Sequence, residues 1–222
     1  MKRTALLFDL DGTLVDSVPD LAAAANRLLA ELGRPPLGEA EIAAMVGDGV
    51  AKLVERALAA RQAGNAALAP AIARFTALYA ADAATLTRPY PGVPEGLAAL
   101  AEAGVALAIC TNKLEQVTRR VLDGLGLAHY FAVVLGGDSL PARKPDPAPL
   151  LAALERLGVA PADAAMVGDH RNDMLAAERA GVAAVFARYG YGLATLGELR
   201  PDAMIDRFAD LPLVIGEMFG LE

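Results

Sequence analysis

The chain has a single cysteine, Cys110, so no disulfide can close within it, and the apolar neighbours of that thiol mark it as a buried small hydrophobe. It has no clusters of lysine and arginine: 20 basic residues stand against 27 acidic ones, a formal net charge of −7. A phosphate backbone is held by massed basic side chains, so a generic nucleic-acid surface is excluded and any anionic ligand must be captured locally. Nor is there an uninterrupted apolar run of about 18 residues, which excludes a membrane-spanning helix. Lys2 and Arg3 precede only a short apolar stretch that ends in acids, without the h-region and cleavage site of a secretory leader. The expected setting is the cytoplasm.

What the chain does have is apolar mass. Hydrophobic residues make up 55% of it, which excludes wholesale disorder. Its 222 residues suffice for one large domain or two small ones around a substantial core.

Ala5-Leu6-Leu7-Phe8 suits a parallel strand covered on both faces, and charge arrives abruptly after it in Asp9-Leu10-Asp11-Gly12-Thr13. Alternation along a strand puts Asp9 and Asp11 on one side and Leu10 on the other. Two like charges so close require a divalent cation or a shared proton. The Gly12-Thr13 turn offers backbone amides to an anion. An oxyanion held with Mg²⁺ meets both demands; the plain alternative is a strand ending in an acidic turn.

Leu21, Ala24, Ala25, Leu28 and Leu32 then recur at helical spacing after Ser17, the expected N-cap, with Gly33 as the stop. Further helical patterns cover Glu39 to Met45, Val50 to Leu58 and about Pro70 to Thr85, with Val46-Gly47-Asp48-Gly49 as a flexible break. Asp16 and Asp20 are assigned to the start of the first helix. No strand signal interrupts these helices, and the stretch is too long for an ordinary connection in an α/β sheet. Residues 15–88 are therefore expected to form an inserted helical domain between core segments 1–14 and 89–222.

From Arg88 onward strand and helix alternate, with strands expected at Val105 to Cys110, Ala132 to Leu135, Ala164 to Val167 and Ala183 to Phe186. Such alternation implies right-handed crossovers and a Rossmann-like α/β fold, a parallel sheet with helices on both faces. Ligands then sit beyond the carboxyl ends of the strands. Thr111-Asn112-Lys113 follows the second strand and offers a hydroxyl and amides at a helix start, where an ordinary N-cap is the competing role. In Arg143-Lys144-Pro145-Asp146-Pro147, two prolines stiffen a loop that presents Lys144, a point charge suited to a phosphate oxygen or to clustered carboxylates. Asp169 follows the fourth strand and Asp173 opens the next helix, oxygen ligands of the kind Mg²⁺ prefers, although Asp173 could equally cap the helix.

These four segments, in this order and at these strand ends, resemble the signature of the haloacid dehalogenase superfamily from residue 5 to about 190. The resemblance implies Asp9 as nucleophile, Asp11 as general acid/base, Thr111 and Lys144 as supports for phosphate and nucleophile, and Asp169 as metal ligand, with Asp173 as the second acid of that motif. It also implies Mg²⁺ bound by Asp9, the Asp11 carbonyl and Asp169, an aspartyl-phosphate intermediate, and a helical cap with hinges at Leu14 to Ser17 and Arg88 to Gly92. His170 stands where many relatives carry serine, and is read as a tolerated variation.

The run from Val46 to Val50 with Leu53 to Leu58, together with Pro89-Tyr90-Pro91-Gly92 and Tyr189-Gly190-Tyr191-Gly192, is similar to segments of bacterial phosphoglycolate phosphatases. Thr13, Asn112, Gly47 and Arg56 are then the candidate substrate contacts. Arg56 would meet a substrate carboxylate in a bidentate pair, against the ordinary reading of a solvated helical arginine. His129 is read as structural. The expected partner is a small phosphorylated metabolite, handled by a monomer or homodimer. A phosphosugar, nucleotide or pyrophosphate phosphatase, a phosphosugar mutase and a non-catalytic binding protein are the competing functions.

Overall fold

A computed structural model describes residues 4–63 and 67–220; Lys2 and Arg3, on which the leader argument rests, lie outside that range. The first strand, β1 (Ala5–Phe8), is buried along its whole length. Leu6 and Phe8 enter the apolar cluster on one face of the sheet, and Ala5 and Leu7 enter that on the other. Alternation of side chains with both faces covered is the reason the run has no polar residue. Burying Phe8 completely contributes about 2 kcal/mol.

After β1 the chain forms a two-residue strand, β2 (Val15–Asp16), and then helices α1 (Val18–Glu31), α2 (Glu39–Ala43), α3 (Val50–Ala60) and α4 (Leu68–Asp82). Leu21, Ala25, Leu28, Phe75 and Leu78 bury the faces along which α1 and α4 pack. The chain returns through β3 (Arg88–Pro89), which pairs antiparallel with β2 in the register Val15 to Pro89 and Asp16 to Arg88. The two segments expected as hinges thus form one ribbon.

The start of α1 departs from expectation in two ways. Ser17 occupies the N-cap position, but its hydroxyl makes no capping bond; Asp16 Oδ1 instead accepts the Val18 amide at 3.3 Å. Asp20, assigned to the same helix start, reaches 66 residues along the chain. It accepts the Leu86 and Thr87 amides at 3.0 and 2.8 Å and the Thr87 hydroxyl at 2.7 Å. It pins the return of the helical segment to its departure.

The rest alternates: α5 (Val93–Glu102), β4 (Ala106–Cys110), α6 (Glu115–Gly124), β5 (Val133–Leu135), α7 (Ala148–Leu157), β6 (Ala164–Gly168), α8 (Arg171–Ala180), β7 (Ala183–Ala187), β8 (Ala203–Ile205) and α9 (Leu211–Phe219). The six-stranded sheet has the order β5-β4-β1-β6-β7-β8, and every neighbouring pair is parallel. Strand β8 and helix α9 lie beyond the last repeat expected from sequence. Because β4 and β6 flank β1, connections leave the sheet in opposite directions at its centre, which opens a crevice at the carboxyl ends of β1, β4 and β6.

Candidate active site

Asp9 leaves β1 with its amide still donating to Val167 O of β6 at 3.0 Å, so its backbone is fixed by the sheet. The turn that follows uses its own amides. Gly12 donates to Val15 O at 2.9 Å and Thr13 to Leu10 O at 3.3 Å, so these two amides are not free for an anion as the sequence suggested. Gly12 has φ +85°, and a Cβ there would sit 2.3 Å from Asp169 Oδ2; this close approach requires glycine.

Asp169, Asp9 and Asp173, all buried, each present an oxygen within 4.8 Å of the others. Asp169 Oδ1 accepts the Thr13 hydroxyl at 3.1 Å, and Oδ2 accepts the amides of Tyr191 and Gly192 at 2.8 and 3.1 Å. Burial, and then repulsion from Asp9 and Asp173, pushes the Asp169 carboxyl well above the usual carboxylate range. Asp173 takes the capping role considered for it and pairs with a lysine as well. Its Oδ2 accepts the His170 amide at 3.0 Å as a helix cap, and its Oδ1 accepts Lys144 Nζ at 2.6 Å.

Lys144 Nζ also lies 3.1 Å from Asp9 Oδ1, off the line of a hydrogen bond, so that buried oxygen has no hydrogen-bond donor among the described residues. Burial alone would lower the Lys144 pKa, but Asp173 and Asp9 outweigh it and hold the amine protonated. With all three carboxylates ionised around one ammonium, two negative charges are left uncompensated. An orphaned carboxylate oxygen and a deficit of two charges fit a hard divalent cation with oxygen ligands.

The Asp11 carboxylate is outside this cluster. Lys113 Nζ donates to its two oxygens at 2.8 and 3.0 Å and to the Tyr79 hydroxyl of α4 at 2.5 Å. The two aspartates after β1 therefore have separate cationic partners, Lys144 beside Asp9 and Lys113 on Asp11, rather than one between them. Burial opposes the charge on Lys113, yet Asp11 and Tyr79 raise its pKa above the usual lysine value; burial pushes the Tyr79 phenol up to about 12. Thr111 Oγ1 accepts the Lys113 amide at 3.3 Å and lines the same cavity. That cavity, of about 60 Å³, lies between Asp9, Asp11 and Thr111 below and Leu21, Leu53 and Phe75 of the helical segment above.

The remaining candidates join the helical segment to the sheet. Asn112 Nδ2 donates to Gly47 O and Lys144 O, both at 3.0 Å. Asn172 Nδ2 reaches Asp48 Oδ1 at 2.8 Å, and the His170 ring lies against Gly47. His170 Nδ1 accepts the Asn172 amide at 3.2 Å, and burial lowers its pKa. Arg56 is neither simply solvated nor at the cavity. It donates to Met45 O at 3.0 Å and pairs with Asp48, so it braces the 45–49 loop and borders a separate recess of about 280 Å³ beside Lys52 and Arg143. His129 is exposed, with its ring against Tyr130.

Sequence reasoning missed Lys113, Tyr79 and Tyr191. Lys113 follows two residues that were singled out, and the strand-end rule covers it. Tyr79 was hidden in the apolar stripe of α4. Tyr191 donates its hydroxyl to Asp16 Oδ1 at 2.6 Å and accepts the Ser17 amide at 2.9 Å, while its own amide holds Asp169.

A doubly wound parallel sheet, with a carboxylate cluster and a buried lysine at its central strand ends and helices over the crevice, defines a hydrolase of the α/β class. The chain belongs to the haloacid dehalogenase-like hydrolase family, whose model matches residues 6–187. It is 45% identical to a phosphoglycolate phosphatase of Neisseria meningitidis, over 93% of this chain and 91% of that protein. It is 47% identical to one of Rhodospirillum rubrum, over 93% and 88%. The crystal structure of a predicted phosphoglycolate phosphatase from Haemophilus somnus 129PT superposes with a TM-score of 0.90 at 35% identity, covering 96% of this chain and 98% of that one.

Proposed function

We propose that the protein is a cytoplasmic, Mg²⁺-dependent phosphatase that hydrolyses 2-phosphoglycolate to glycolate and phosphate, with residues 15–88 as a cap over the reaction centre. The observation that carries the chemistry is the convergence of Asp9, Asp169, Asp173 and Lys144 at one point. The substrate rests on the relatives that bear that name at 41–47% identity over most of the chain.

A carboxylate oxygen of Asp9 attacks phosphorus in line, and the bond from phosphorus to the bridging oxygen breaks. Asp11, protonated on the oxygen that meets the substrate while Lys113 keeps the other, gives that proton to the bridging oxygen, and glycolate leaves. Asp11 then takes a proton from water, whose oxygen attacks the aspartyl phosphate; phosphate departs and Asp9 is restored. Lys144 holds Asp9 in place between attack and release, and Thr111 donates its hydroxyl to a phosphate oxygen. Asp9, the Asp11 carbonyl, Asp169 and Asp173 are the candidate ligands for Mg²⁺, which when bound supplies charge compensation for the phosphoryl oxygens.

Asp9→Asn keeps the volume and removes the nucleophile, so phosphate release should fall by at least about 10³-fold with the melting temperature nearly unchanged. Wild-type turnover in that variant would refute the covalent route. A screen of 2-phosphoglycolate against phosphosugars and nucleotides tests the substrate, and isomer formation without phosphate release would identify a mutase.

A further inference from the structure

We infer that Lys113 recognises the carboxylate of the substrate and so selects a phosphorylated 2-hydroxy acid; this rests on the phosphatase reading. Of the described residues that line the cavity, Lys113 is the one with a cationic side chain. Beyond Asp9 and Asp11, apolar side chains such as Leu21, Val50, Leu53 and Phe75 wall the space, and Thr76 and Tyr79 supply hydroxyls. Sugar hydroxyls placed against the apolar side chains would lose more water contacts than the few polar groups of the cavity could replace, whereas a small acid needs only one cation and a snug apolar fit.

The reach also fits. Lys113 Nζ is 2.8 Å from one oxygen of Asp11, the group that delivers a proton to the bridging oxygen in the proposed reaction. One hydrogen bond therefore separates the ammonium from whatever meets that oxygen. A carboxylate one methylene away from the bridging oxygen would therefore lie within reach of Lys113, whereas a carboxylate one methylene farther would have to fold back to meet it. Asp11 and Tyr79 satisfy the ammonium before substrate arrives, and the substrate's carboxylate takes the place of one of their oxygens.

The test is a ratio. kcat/KM is measured for 2-phosphoglycolate and for ethyl phosphate, which replaces the carboxylate by a methyl group, in the wild type and in Lys113→Met. The wild type should prefer 2-phosphoglycolate by at least about a hundredfold, and the variant should lose at least about tenfold of that preference. Harm transmitted through Asp11 affects both substrates and cancels. A smaller change in the ratio overturns the inference and leaves the 2-phosphoglycolate reading standing; no preference in the wild type overturns both. The phosphate ester of 3-hydroxypropionate tests the reach in the unaltered protein, whether or not Lys113→Met folds. Its kcat/KM should be at least about tenfold lower than that of 2-phosphoglycolate, and equal turnover overturns the inference.

Discussion

Asp169 shows how one carboxyl links protons, metal and stability. Burial and two neighbouring carboxylates raise its pKa, so the folded protein without metal holds a proton there more tightly than the unfolded chain does. The stabilisation is present at low pH and is lost as pH rises from the ordinary carboxylate range through the raised value. A divalent cation bound as proposed would take the proton's place, so Mg²⁺ should raise the melting temperature more at about pH 8 than at about pH 6. Equal shifts at both would show that the ion does not meet Asp169. Cys110 behaves as its neighbours suggested: burial pushes the thiol up to about 12. A thiol reagent at neutral pH should leave it unmodified in the native protein and label it in urea, and rapid native labelling would contradict its burial. At this scale the acids at strand ends were legible because three of them recur where buried strands run out, a pattern that single acidic turns or caps explain only one at a time. The partner of Asp11 was not, because a lysine in a sequence looks the same whether solvated or enclosed, and the phenol that completes its cage lies 34 residues away on α4.

Among the elements, the join between α1 and β3 depends most on one side chain. Asp20→Ala removes the acceptor for two backbone amides and the Thr87 hydroxyl, all at a buried position. Urea unfolding should register a loss of about 2–4 kcal/mol; a loss under about 1 kcal/mol would mean that water replaces the carboxylate without penalty. The regular elements were readable from period and punctuation: β1, β4 and β6 as apolar runs, and α5, α7 and α8 between prolines and glycines. Asp20 was misassigned because an acid in the first turn of a helix has a sufficient local explanation, and its actual partners are distant in sequence. Strand β8 escaped because three residues, one of them exposed, show no alternation that could be counted.

For the molecule as a whole, the helical layer is shut onto the sheet through a few polar contacts centred on the 45–49 loop. Gly47 sits at their middle with φ +114°, and a Cβ there would come within 2.5 Å of the His170 ring. Gly47→Ala should therefore hold the two layers apart. The expected result is a fall of at least about tenfold in kcat/KM with little change in melting temperature, and unaltered kinetics would show that the ring yields. His170, read from sequence as a tolerated variation, is also the side chain whose ring this loop rests against.

The ribbon of β2 and β3 has a consequence for the history of such proteins. Val15 stands opposite Pro89 in the two-stranded ribbon, so the excursion leaves and rejoins the α/β core a single strand spacing apart, about 4.8 Å. An insert whose two ends are neighbours can be exchanged, lengthened or trimmed with no strand reordered beneath it. Evolution can therefore revise the roof gene by gene while the floor keeps its chemistry, and a chimera carrying a relative's roof spliced at these two points should fold on an unchanged base.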